Sequence, residues 1–194
     1  MKALFILFIC AFLSLRTSCV SPINCHKQFN IYREPFSSFD SIDIHSGIFV
    51  SLNGSDALCF FDNGLSKTIS SFASNINSFW LNPKVELTSL LENDQYFRKE
   101  LWGHFRIIRD TIIIQSFGLS NDQLCRRAVY ETKGVILNDS TIEVFSQYSY
   151  WFDHELIKEP IIYRLFKTDQ KPDSALAWFS KKRWYIKNLH ESRI

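Results

Sequence analysis

Gly103-His104-Phe105-Arg106-Ile107-Ile108, a break at Arg109-Asp110, then Thr111-Ile112-Ile113-Ile114-Gln115-Ser116-Phe117 is the stretch on which the reading of the fold turns. β-branched and aromatic residues crowd both arms, Phe105 and Ile107 alternate with polar neighbours, and the break holds two polar residues. That combination predicts a β-hairpin with one packed face. About thirty residues on, the same plan returns: Gly134-Val135-Ile136-Leu137, a turn at Asn138-Asp139-Ser140, then Thr141-Ile142-Glu143-Val144-Phe145. Two hairpins, each with a Thr-Ile entry into the returning strand, read as successive parts of one meander rather than as a solenoid repeat.

Upstream, Gly47-Ile48-Phe49-Val50-Ser51-Leu52 and Ala57-Leu58-Cys59-Phe60-Phe61 flank Asn53-Gly54, and a further turn follows at Asp62-Asn63-Gly64. An Asn-Gly pair between apolar runs is a strong hairpin signal, because both central residues of that turn need positive φ. Downstream, residues 161–166 read as another strand, and Trp184-Tyr185-Ile186 either closes the sheet or packs back on it. Helix is the minority element: Lys84 to Glu92 follows Pro83, and Asp173 to Phe179 follows Pro172 with Asp173 as the cap. The expected fold class is therefore mainly β, an antiparallel meander closed or nearly closed into a lipocalin-like barrel with one or two short helices. Residues 47–194 form this β-rich domain, since no Gly/Ser/Pro linker divides them.

The Gly47-Ile48-Phe49 opening strand, the hairpin from Trp102-Gly103 to Gln115 and the hairpin from Gly134 to Val144 resemble those of small exported lipocalin-like lipoproteins of Bacteroidota, over roughly residues 47–186. That family opens on Gly-x-Trp, and here Phe49 stands in the Trp position. The resemblance implies a barrel with an apolar ligand inside and brings no catalytic residue. His104, Phe105 and Ile107 are the positions expected to line such a ligand.

The N-terminus concerns destination. Met1-Lys2 precedes an apolar run from Ala3 to Leu15, and small residues follow. A basic start and an apolar stretch shorter than the roughly 20 residues of a spanning helix are the pattern of an export signal over residues 1–18. Leu15-Arg16-Thr17-Ser18-Cys19 resembles a bacterial lipoprotein signal, with Arg16 where an aliphatic residue is usual. Cys19 then becomes the lipidated first residue, and residues 19–46 a tether and leader. Ordinary cleavage near Ser18 or Cys19 is the alternative, giving a secreted or periplasmic soluble protein. The lipid reading places the protein in the bacterial cell envelope, anchored in the outer membrane.

The whole chain has 194 residues, 46% hydrophobic and 15% aromatic, with 22 Lys+Arg against 20 Asp+Glu. Such a chain can bury a core. Loss of the signal removes Lys2 and Arg16 and balances the charges, so no nucleic-acid partner is expected. Of five cysteines, Cys25, Cys59 and Cys125 remain after Cys10 and Cys19 are assigned to the signal and the anchor. Cys59 with Cys125 is the expected disulfide, and buried free thiols are the competing reading. There is no CxxC, HxH or HExxH spacing, so no metal and no cofactor is implied.

Three surface features carry weaker functional signals. Tyr148, Tyr150, Trp151 and Phe152 run into Asp153, Glu155 and Glu159. Carboxylates beside aromatics build sugar-processing and sugar-binding sites, which makes Tyr150, Trp151, Asp153 and Glu155 candidates for surface binding, and makes the three acids candidates for hydrolysis. A solvated loop is the plainer reading. Lys181, Lys182, Arg183, Lys187 and Arg193 surround Trp184 and Tyr185, as a membrane-apposed patch or a solvated end. Asn53-Gly54-Ser55 and Asn138-Asp139-Ser140 match the N-glycosylation pattern and already suit turns. The leading expectation is a non-enzymatic envelope module, binding or structural, whose interior can take an apolar ligand. An exported glycan-acting hydrolase or carbohydrate-binding protein, and an interaction subunit of an envelope assembly, are the alternatives.

Overall fold

A computed structural model describes residues 28–33, 44–53, 56–70, 82, 85, 88, 101–119, 127–150 and 153–186. The two deciding hairpins form as expected. β4 (Trp102–Ile108) pairs antiparallel with β5 (Thr111–Leu119) around Arg109, whose φ of 60° makes the tight reversal. β6 (Arg127–Asn138) pairs with β7 (Thr141–Ser149), where Asn138 Oδ1 accepts from the Ser140 amide at 3.0 Å and closes the turn. Register shifts near Lys133 and Ile136 mark bulges in the β6–β7 pair. Such bulges add the local twist that a closing sheet requires.

β1 (Gly47–Ser51), β2 (Asp56–Phe60) and β3 (Leu65–Ser70) precede these hairpins, and β8 (His154–Glu155) and β9 (Ile161–Lys167) follow. Each strand from β1 to β7 pairs with its successor, and β9 then bridges β7 and β1. An eight-stranded antiparallel barrel results, with β8 lying beside the far part of β7. Closure leaves the ring without an open edge, so ladder hydrogen bonds satisfy the wall on both sides of every strand in it.

Side chains alternate in and out of this wall. Phe49, Leu58, Phe105, Ile112 and Ile142 belong to one buried cluster that fills the interior, with Ile44 joining it from the segment before β1. Burying each such side chain contributes about 1.5–3 kcal/mol. A second cluster lies on the opposite face, where Leu65, Trp102, Phe117 and Val129 project outward and are covered by Phe29, Tyr32, Phe179 and Tyr185. Packing thus begins within the leader, at Phe29, which is completely buried.

β3 has no counterpart in the sequence expectations, and its pattern explains why. Ser66 and Thr68 pair with Phe60 and Leu58 on the inner face, while Leu65, Lys67 and Ile69 point outward and are buried. Polar residues inside, with Leu65 and Ile69 outside beside Lys67, invert the usual alternation. The late segment also differs from a regular helix. Ser174–Leu176 forms a single 3-10 turn, capped by Asp173, which accepts from the Ala175 amide at 2.8 Å. Residues 183–186 are helical and pack back on the wall instead of joining the sheet. Of the expected Lys84–Glu92 helix only Val85 and Thr88 are described, both helical.

Candidate functional site

The interior of the barrel is built from two contrasting lines of cross-strand partners. Ile107, Ile112, Gly134, Val144 and Ile161 follow one another across β4, β5, β6, β7 and β9. This line is aliphatic and packed. Ser66, Gly103, Ser116, Tyr130 and Ser149 follow one another across β3, β4, β5, β6 and β7. That line carries hydroxyls, and Thr132 and Gln147 lie beside it as partners of one another. Ser66 is 2% exposed, and its Oγ has no hydrogen-bond partner among the described residues. A buried hydroxyl left in that state costs about 1–3 kcal/mol, which a ligand atom or water can recover.

A third inner group lies where β1, β2 and β9 meet. Tyr163 Oη donates to Asp56 Oδ2 at 2.9 Å. Ser51 Oγ donates to the Asp56 carbonyl at 2.8 Å and accepts from its amide at 3.1 Å. Burial, reinforced by the charge of Asp56 and the hydrogen bond to it, holds the Tyr163 phenol far above its ordinary range. The pair fixes one end of the interior and leaves Tyr163 protonated. Among the described residues no group of His, Cys, Asp and Glu is arranged to hold a metal ion. Chemically, the interior offers apolar contact plus neutral hydrogen-bonding groups.

The residues expected to line this interior divide. Phe105 and Ile107 do so, both within the inner cluster. His104 cannot share their face, since alternate strand residues point to opposite sides. It projects outward, opposite Leu65, with ring centroids 6.4 Å from those of Tyr32 and of Tyr185. Burial pushes its imidazole down to about 4.

The aromatic and acidic surface is also partly committed. Tyr150 packs against the outer cluster and donates to Glu131 Oε2 at 2.8 Å. Gln115 Nε2 donates to the same oxygen at 2.9 Å, and Lys133 Nζ lies 3.0 Å from Glu131 Oε1. Burial alone would raise the Glu131 pKa, but these donors outweigh it and hold the carboxyl below its ordinary value. Tyr148 Oη donates to Asp153, and Glu155 Oε1 accepts from the Gln147 amide at 2.5 Å. Both carboxylates therefore fasten the β7–β8 turn, in which Asp153 takes a positive φ of 54°. Glu159 is exposed beyond β8. Trp151, Cys19 and Cys125 lie outside the described residues. Cys59 is a free thiol on the outward face of β2, completely buried, and desolvation pushes it up to about 12. A thiol in that state is a packing group rather than a nucleophile.

Sequence reasoning missed the hydroxyl line and the Asp56–Tyr163 pair. Ser66, Ser116 and Ser149 sit on different strands, and only the register shows that they lie on one line across the wall. The faint signal was the Ser-x-Thr of β3, where a reading that assigns polar residues to solvent chooses the wrong face. Comparison of the chain with family models, with curated proteins and with solved structures finds no match.

Proposed function

We propose that this is an exported envelope protein, anchored in the outer membrane through an acylated Cys19, whose barrel holds a small apolar ligand without catalysing a reaction. The observation that carries this reading is the composition of the interior: an aliphatic line and a hydroxyl line facing the same space, with Ser66 Oγ buried and unpartnered among the described residues. An eight-stranded barrel has room for its own side chains or for one small ligand. The export signal and the Leu15 to Cys19 stretch support the anchor. One acylated residue tethers a domain to a bilayer without spanning it.

Intact mass spectrometry on protein extracted from its own host in mild detergent, native and then denaturing, tests the reading. A denatured mass that starts at Cys19 and includes acyl chains supports the anchor. An additional mass lost on denaturation supports the carrier. A bare mature chain with nothing bound removes both and leaves a secreted or periplasmic soluble domain.

A second reading, an interaction subunit of an envelope assembly, draws on a different observation. Ile108, Leu137 and Phe145 are 48%, 51% and 46% exposed on the β4–β7 side of the barrel. Exposed apolar side chains gathered on one side mark contact surfaces more often than single ones do. The glycan-acting reading has less support, because Asp153 and Glu155 are engaged within their own turn.

A further inference from the structure

His104 is a titratable group placed at an interface inside the molecule. Beneath it is the barrel wall, where Leu65 and Gln115 are its cross-strand partners. Above it are Tyr32, from the 3-10 turn Ile31–Arg33, and Tyr185, from the helical residues 183–186. Gly64 seals the side: with φ at 80° it brings its backbone so close that a Cβ there would meet His104 Cε1 at 2.5 Å. The ring is 5% exposed, and its Nδ1 has no hydrogen-bond partner among the described residues.

Burial disfavours a protonated ring, and a backbone hydrogen bond at Phe105, which favours it, does not make up the difference. Lys67 on β3 and Arg106 on β4 share its face of the wall, and both are cations. Gln115 on β5 is neutral, and Glu131 beyond it already accepts from Gln115, Tyr150 and Lys133. From the covering segments come the two phenols. A proton taken up here is a buried charge whose cost is lost hydration, and among the described residues no carboxylate forms an ion pair with the ring.

The two layers are also held by different forces. Ladder hydrogen bonds and the inner cluster hold the barrel, and neither involves the His104 ring. Among the described contacts, the cover is held by ring packing and by two amides, Asn30 and Ile31, which donate to Gln115 Oε1 at 2.9 and 3.0 Å. Segments outside a strand ladder open at lower free energy than a closed ladder.

We infer that His104 is an acid-sensitive latch: when its ring takes up a proton, the segments carrying Tyr32 and Tyr185 lift from the wall while the barrel stays closed. Lifting uncovers Leu65, Trp102, Phe117 and Val129, so an aromatic face becomes available only in acid. The direction follows from linkage. The covered ring titrates near 4 and a free one near 6.5, so the covered state is favoured above about 6.5 and loses that advantage as pH falls toward 4. Between pH 7.5 and 4.5 the opening equilibrium shifts by about 70-fold.

Hydrogen exchange on the full chain, with protection corrected for the intrinsic pH dependence of exchange, reads this directly. Residues 28–33 and 174–186 are expected to lose protection by up to that factor between pH 7.5 and 4.5, while β5 to β7 keep theirs. In His104→Gln the loss disappears. Equal loss in the wild type and in His104→Gln overturns the latch, and so does simultaneous loss in the barrel strands. Should the variant fail to fold, proton NMR of the wild-type imidazole decides. A midpoint below about 5, with cover resonances changing at the same pH, supports the latch, and a midpoint near 6.5 overturns it.

Discussion

The two hydrophobic clusters differ in composition, in origin and in what holds them. The inner one is mostly aliphatic, with Ile107, Ile112, Ile114, Ile136, Ile142 and Val144 around three Phe rings, and nearly all of it comes from paired strands. The outer one is mostly aromatic and joins the wall to segments that precede β1 and follow β9. Phe29 stands 4.5 Å from Phe117 between ring centroids and 5.2 Å from Phe179. β-branched side chains are stiff, favour strands and fill a narrow interior. Flat rings do something else: they spread over a sheet face and interlock at tilted angles, so they can attach a segment that makes few backbone hydrogen bonds to the sheet. One cluster is a consequence of pairing, and the other is a docking event.

The strands carry the same contrast. β1 is buried at every position and β2 at all but Asp56, so both of their faces are covered. β7 alternates over its first half, with Ile142 and Val144 inside and Glu143 partly exposed. Continuous apolar sequence and alternating sequence thus report, respectively, a wall covered on both sides and a wall with one wet face.

If the distinction is right, truncations in the two clusters should have different reach. Phe105→Ala removes an inner ring in contact with Phe60, at 4.8 Å between centroids, and should cost about 4 kcal/mol. Chemical denaturation followed by strand and aromatic signals together should show both clusters melting in one transition. Phe29→Ala, in the outer cluster, should cost about 3 kcal/mol of cover stability. Its signature is a loss of aromatic circular dichroism while the far-ultraviolet β signal persists. A single transition in Phe29→Ala would mean that the cover and the barrel are one cooperative unit. Gln115→Ala, which leaves the Asn30 and Ile31 amides without their acceptor, should cost about 1–2 kcal/mol, seen as faster exchange of those two amides. Leu137→Ser belongs to neither cluster and should change thermal stability by less than about 0.5 kcal/mol. A larger effect would show that the exposed aliphatic side is already occupied within the molecule.

Much of the inner cluster was legible beforehand. The Phe105/Ile107 and Ile142/Val144 alternations identify inward positions correctly, and the turns at Arg109-Asp110 and Asn138-Asp139-Ser140 lie where their chemistry suggests. His104 shows the limit of naming neighbours together, because a residue between two inward-facing ones must face out. The outer cluster was not legible. Phe29, Tyr32, Phe179 and Tyr185 carry no period that names a partner, and turn formers around them suggest tether and tail.

By itself, the sequence determined the class of the fold, the strand-and-turn order of its clearest hairpins and several of the residues that fill the barrel, Phe105, Ile107, Ile142 and Val144 among them. These follow from local rules of alternation, turn geometry and β-branching, which act between residues close in the chain. Tertiary structure alone decided that β9 returns to close the ring on β1, that β3 turns Ser66 and Thr68 inward, and that segments preceding β1 and following β9 meet over His104. Each of these depends on which faces remain uncovered once the sheet has curled. No local pattern encodes that, because burial of those faces is a property of the assembled surface.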